Sequence, residues 1–186
     1  FLLAPIPESA DYFTVRDIKM AVMGTSSVGK TGKCPCLDFC YITTVQSLCM
    51  SCTGNLYSRL VVMDGEQTSL QIQDTPGCIK VEEEVSPEVL RYVQWAEGFL
   101  LVYSVTDCRS YQCIRPLYQH IRKVHSDSKV PVIVVANKGD LLHVREVSHD
   151  AGIQLANELG CSFVEISTSE SCQDVCDVFQ HLCKEI

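Results

Sequence analysis

Residues 17–31 read Asp17-Ile18-Lys19-Met20-Ala21-Val22-Met23-Gly24-Thr25-Ser26-Ser27-Val28-Gly29-Lys30-Thr31. A mostly apolar, strand-length run feeds Gly24-Thr25-Ser26-Ser27-Val28-Gly29-Lys30-Thr31, which fits G-x-x-x-x-G-K-[ST]. A glycine-rich turn between a strand and a helix lets backbone N–H groups close on phosphate oxygens. The helix N-terminus adds favourable potential for an anion. Further on, Asn137-Lys138-Gly139-Asp140 fits N-K-x-D, and Asp74-Thr75-Pro76-Gly77 lies between the two. In that order the three stretches predict a site for a guanine nucleotide. An ATP-driven reading of the first motif fails on the third.

Outside the motifs, size and composition narrow the class. At 186 residues with 46% hydrophobic content, the chain is long enough for one domain with a full core. A net charge of -8 argues against a dedicated nucleic-acid binder, although Arg115, Arg122 and Lys123 could form a local basic face. No apolar run is long enough to span a bilayer. Pro5 and Pro7 end the apolar Phe1-Leu2-Leu3 too early for a signal peptide, and the lack of an initiator Met suits a fragment. The 12 cysteines are read as reduced thiols rather than a secreted disulfide framework, because a chain of this size needs no staples.

Alternating strands and helices organise the chain. Residues 1–16 read as an irregular lead-in and 17–186 as one domain. Six strands are expected: 17–23, 57–63, 69–74, 99–105, 130–136 and 161–166. Asp64-Gly65 marks a hairpin turn, and Leu70 and Ile72 alternate with Gln71 and Gln73. The runs 99–105 and 130–136 are continuously apolar, as strands buried on both faces are. Tyr111, Ile114, Leu117, Tyr118, Ile121 and Val124 recur at helical spacing. So do Ile153, Leu155, Ala156 and Leu159, which stop at Gly160, and Val175, Val178, Phe179 and Leu182. The pattern predicts a six-stranded, mostly parallel sheet with helices on both faces. Ligands in such folds sit beyond the carboxyl ends of the strands.

The order GxxxxGKT, DTPG, NKGD and a serine loop at Ser167 resembles that of Ras-like small GTPases. The wording LAPIPES, LYSRLV, LQIQDTPG, VQWAEGFLLVYSVTD, IRPLYQHIRKVH, NKGDLLH, GIQLANELG and DVCDVFQHLCKE is similar to Ras-like family 11, A type. It covers roughly residues 1–31 and 54–186, apart from the stretch after Gly77. The resemblance implies a P-loop NTPase of the Ras-like G-domain type that binds GTP or GDP with Mg2+ and acts as a slow GTPase and signalling switch. It also implies effectors and regulators at the switch regions, an intracellular place (cytoplasmic or nuclear) and no lipid anchor. The other function carried forward is a non-catalytic interaction module of the same shape with weak or no nucleotide binding.

On this resemblance the residues from Gly24 to Thr31 hold phosphates, with Lys30 on the β- and γ-phosphates and the Thr31 hydroxyl on magnesium. Asp74 is expected to hold magnesium through a water, and the Gly77 amide to sense the γ-phosphate. Asp140 offers a carboxylate to guanine N1–H and the 2-amino group, a donor pair that adenine lacks. Asn137 ties this loop to the phosphate loop, and the Lys138 stem packs along the base. Ser167 opens the last binding loop, and the Thr168 amide is expected to meet guanine O6. Ser169 replaces the lysine usual there, which removes packing against the base.

Three departures touch catalysis. Cys78 stands where Ras-like enzymes carry a Gln that orients water, and a thiol is a poor hydrogen-bond partner for that work. Ser26 replaces a glycine near the γ-phosphate. Residues 32–53, where the first helix and switch I belong, carry Pro35 and five cysteines, at 34, 36, 40, 49 and 52. Pro35 alone costs a helix interior about 3 kcal/mol. Alignment back from Tyr57 puts Cys52, beside Thr53, at the switch I threonine, and Tyr41 and Phe39 are candidates for the guanine-stacking aromatic. A zinc site on Cys49-x-x-Cys52 with Cys34 or Cys36 is the lesser reading of this stretch; a variant segment grafted onto an intact domain is the greater. Glu82-Glu83-Glu84 reads as a solvated charge run. Cys183-Lys184-Glu185-Ile186 formally reads C-x-x-X, but Cys183 continues the apolar face of the last helix.

Overall fold

A computed structural model describes residues 15–30, 50–53, 56–63, 65–75, 87–126, 129–167 and 172–186. Their strands are β1 (Arg16–Met23), β2 (Met50–Thr53), β3 (Leu56–Met63), β4 (Glu66–Asp74), β5 (Gly98–Ser104), β6 (Val132–Asn137) and β7 (Ser162–Glu165). Their helices are α1 (Pro87–Trp95), α2 (Cys108–Gln112), α3 (Ile114–Val124), α4 (His149–Leu159) and α5 (Cys172–Glu185), with a 3-10 turn at Leu142–Val144. The strands form one sheet in the order β2-β3-β4-β1-β5-β6-β7. Pairs β2–β3 and β3–β4 are antiparallel and every other pair is parallel.

All six expected strands are present, and the sheet has a seventh, β2. Its four residues pair with β3 in the register Cys52↔Tyr57 and Thr53↔Leu56. So short an edge strand, set in a stretch without apolar alternation, leaves no periodic signal.

Alternation along the central strands explains the two-sided core. Ile18, Met20 and Val22 of β1, Leu100 and Val102 of β5, and Ile133 and Val135 of β6 face one cluster, closed by Val175, Val178, Phe179 and Leu182 of α5. Ala21, Met23, Phe99, Leu101, Tyr103, Val132, Val134 and Ala136 face the other, under Val89 and Val93 of α1, Leu117 and Ile121 of α3, and Leu155 of α4. Helices thus cover both faces, and β5 and β6 are buried along their whole length.

Local signals set the helix ends. Ser148 caps α4 by accepting from Ala151 N, and Gly160 ends it in the left-handed conformation, φ 67. The periodicity from Tyr111 to Val124 is split into α2 and α3 at Cys113. Pro116 is the cause, since in an unbroken helix its ring would strike the carbonyl four residues back, at Gln112. Pro116 is instead tolerated in the first turn of α3. Helix α1, which the expected elements do not include, has a readable signal, a proline at its first position with Val89 and Val93 four apart.

Among the described residues no helix is long and apolar enough to cross a membrane. Among the described residues, Cys108, Cys113, Cys161 and Cys183 are free thiols. Burial pushes those of Cys161 and Cys183 up to about 11. Cys183 packs in the α5 core.

Candidate functional site

Strand register brings the motifs together. Val22 pairs with Asp74, Ser104 with Asn137, and Ala136 with Glu165. The carboxyl ends of β1, β4, β5, β6 and β7 therefore share one edge of the sheet, where parallel α/β folds place ligands.

The phosphate loop leaves β1 across the top of β5. Gly24 has φ +150, and a Cβ there would lie 2.2 Å from the carbonyl oxygen of Val102, so no side chain fits. Val28 is fully buried and anchors the turn in the core below α5. Ser27 takes φ 64, a strained choice for a non-glycine residue of the kind found at binding sites. Lys30 Nζ donates to the carbonyl of Gly24 at 2.9 Å and to that of Thr25. An ammonium folded onto loop carbonyls has fixed direction and ordinary partners, which phosphate oxygens can replace.

Asn137, the last residue of β6, is 1% exposed and joins two loops. Its Nδ2 donates to Val28 O at 2.8 Å, while its Oδ1 accepts from Lys138 N at 2.7 Å. Lys138 is left-handed, φ 66, and its Nζ donates to Ser27 O at 2.9 Å. The N-K-x-D loop is thus bonded to the phosphate loop through both of its first two side chains.

Asp140 lies under the loop after β7. Ser167 Oγ donates to Asp140 Oδ1 at 2.6 Å, Gly139 N donates to Ile166 O at 3.1 Å, and Ile166 N to Ala136 O at 2.8 Å. On the other flank, Asp74 ends β4 and is 5% exposed. Thr75 holds that chain end against β1, since its N and Oγ1 both donate to Val22 O, at 3.2 and 2.8 Å. A buried aspartate is the hard oxygen donor that magnesium takes, so Asp74 suits that ion. Gly29, Lys30, Asp74 and Asn137 line one small cavity of about 50 Å³. The larger cleft, about 770 Å³ around Arg122, His125 and Cys161, contains none of the motif residues.

The structure therefore unites Gly24, Thr25, Ser26, Ser27, Val28, Gly29 and Lys30 with Asp74, Asn137, Lys138, Asp140 and Ser167. Thr31, Gly77, Cys78 and Thr168 lie outside the described residues, as do Pro35 and most of the cysteine-rich segment with the zinc reading it carries.

Two residues at this edge went unread in the sequence. Arg145 donates Nη1 and Nη2 to the two carboxylate oxygens of Glu165, at 3.1 and 2.5 Å, and Nη2 also reaches Gly139 O at 3.2 Å. The Arg145 hydrogen bond holds the Glu165 carboxyl below the usual carboxylate range, against the opposing pull of burial. The same bond raises the Arg145 guanidinium.

Comparison with known proteins agrees with this arrangement. The sequence pattern of the Ras family matches residues 19–186. Ras-like protein family member 11A of Homo sapiens is 60% identical over 192 residues, which span all of this chain and 77% of that protein. The Rattus norvegicus protein of the same name is 60% identical over 191 residues, again all of this chain and 77% of the relative. Ras-like protein family member 11B of Homo sapiens is 44% identical over 174 residues, 92% of this chain and 68% of that protein. With the phosphate-loop motif, the buried aspartate and the N-K-x-D loop at one sheet edge, these matches place the chain in the Ras family of small GTPases, among the Ras-like family 11 proteins.

Proposed function

We propose that this chain binds GDP and GTP with magnesium, hydrolyses GTP slowly and serves as a signalling switch inside the cell, in cytoplasm or nucleus. The observation that supports this most is Asn137, which bonds the specificity loop to the phosphate loop from a fully buried position. A side chain so placed couples recognition of the base to the grip on the phosphates.

In this reading the backbone amides from Thr25 to Lys30 and the Lys30 ammonium take the phosphates. Asp140 accepts from guanine N1–H and the 2-amino group, the Lys138 stem lies along the base, and Ser167 keeps the Asp140 carboxylate aimed. Thr168 gives its amide to O6. Thr31 and Asp74 hold magnesium, which when bound supplies positive charge to the β- and γ-phosphate oxygens. The Gly77 amide senses the γ-phosphate, and effectors and regulators read the loops that it orders. No direct nucleic-acid contact belongs to this reading.

Slowness follows from Cys78. A thiol directs an attacking water poorly, so single-turnover hydrolysis runs below the Ras-like rate, and Cys78→Gln raises it. Ras-like or faster turnover by the unaltered chain would contradict this.

Pro35, Cys52 and Cys78 favour a second reading, an interaction module with little nucleotide binding. The two separate on one measurement. Nucleotide released from purified, heat-denatured protein is GDP or GTP under the first reading and absent under the second.

A further inference from the structure

Gly139 is the loosest link in the guanine loop, having no Cβ to restrict its peptide units. Both of those units are pinned. The one before it is held through Gly139 N, which donates to Ile166 O at 3.1 Å. The one after it, which leads directly into Asp140, is held through Gly139 O, which accepts from Arg145 Nη2 at 3.2 Å.

Arg145 is itself fixed. Its two terminal nitrogens fork onto the Glu165 carboxylate at 3.1 and 2.5 Å, and Nη1 also donates to Val147 O at 3.2 Å. Both side chains are 18% exposed. Glu165 is the last residue of β7, and its Oε2 lies 2.9 Å from His149 Nδ1 at the start of α4. One carboxylate thus ties together the end of β7, the loop after β6 and the first turn of α4. Bidentate, charge-assisted bonds of this kind are among the stronger and more directional ones.

We propose that the Arg145–Glu165 pair is a positioning device for guanine selectivity, setting the angle at which Asp140 presents its carboxylate. Neither residue touches the ligand. The pair acts by preventing rotation of the peptide between Gly139 and Asp140. The proposal rests on the guanine reading given above.

The test compares two nucleotides that differ by one donor. GDP offers Asp140 both N1–H and a 2-amino group, whereas inosine diphosphate offers N1–H alone. Tilting Asp140 therefore harms GDP more. Dissociation rates of fluorescent GDP and fluorescent inosine diphosphate are measured for the full chain, for Glu165→Gln and for Arg145→Lys, beside their melting curves. The preference for GDP is expected to shrink about fivefold or more in both variants, as loss of much of one bond to a charged group implies. Adding Glu165→Gln to Asp140→Ala is expected to shrink it no further. Should Glu165→Gln fold poorly, Arg145→Lys keeps the charge without the fork and gives the same comparison.

A purely structural pair would speed release of both nucleotides by one common factor, and that result, or unchanged rates, overturns the proposal. Unaltered protein that retains neither nucleotide overturns the guanine reading and this inference with it. Unaltered protein that prefers GDP, with variants that keep the full preference, overturns this inference alone.

Discussion

Truncating Asn137 isolates the bond between the two nucleotide loops. Asn137→Ala removes the donor to Val28 O and the acceptor for Lys138 N, at 2.8 and 2.7 Å. Val28 is fully buried, so water does not reach its carbonyl, and an unsatisfied buried group costs about 1–3 kcal/mol. Lys138 is half-buried and its amide is partly rehydrated, which puts its share at the lower end. The sum is about 2–4 kcal/mol, and in a domain of this size each kcal/mol shifts the melting point by about 2–4 °C. A fall of roughly 5–15 °C is therefore expected for nucleotide-free protein, followed by circular dichroism. Asn137→Asp sharpens the test. The new carboxylate still accepts from Lys138 N but faces the Val28 carbonyl with an oxygen where a donor stood. Burial and that opposed oxygen favour the protonated form, which can donate. At pH 7.5 this variant melts no higher than Asn137→Ala, and it recovers ground relative to the unaltered protein as the pH falls toward 5. An alanine variant within about 2 °C of the unaltered protein, or an aspartate variant indifferent to pH, would refute the reasoning.

Lys30→Ala removes the ammonium assigned to the phosphates, so fluorescent GDP is expected to bind about 10–100-fold more weakly, since hydrogen bonds to charged groups are worth about 1.5–3 kcal/mol. Unchanged titration would exclude the phosphate role. Gly152→Ala in α4 sets two effects against each other. A helical alanine gains about 1 kcal/mol. The new methyl, however, would sit 2.5 Å from Tyr103 Oη and 2.5 Å from the Phe163 ring. Tyr103 is fully buried in β5 and cannot retreat, so overpacking of about 1–3 kcal/mol wins and urea titration shows a net loss. Glu165→Gln tests the ion pair by acid. The folded carboxyl titrates below its unfolded range, so its contribution is complete above about pH 4.3 and is lost as pH falls through the lower folded value. The stability gap between the unaltered protein and Glu165→Gln is expected to narrow from pH 6 toward pH 3; a constant gap would refute the ion-pair origin.

What the chain shows at a glance depends on whether the chemistry is contiguous. The phosphate loop is legible because Gly24, Val28, Gly29 and Lys30 do separate jobs within seven residues, and β5 and β6 because strands buried on both faces are apolar throughout. The split of α2 from α3 was also within reach, since Pro116 forbids the Gln112 carbonyl its helical place. β2 was not, because four residues carry too little periodicity and the strand exists only by pairing with β3. Arg145 and Glu165 were further from reach. They are 20 residues apart, are ordinary charged residues in isolation, and belong to no motif. Their partnership arises only when the β6–β7 register sets Ala136 against Glu165 and carries that carboxylate beneath Gly139. Residues that touch a ligand must carry a particular chemistry, so they leave a pattern in one sequence. Residues that aim them need only an opposite charge at the right distance, and distance is a property of the fold.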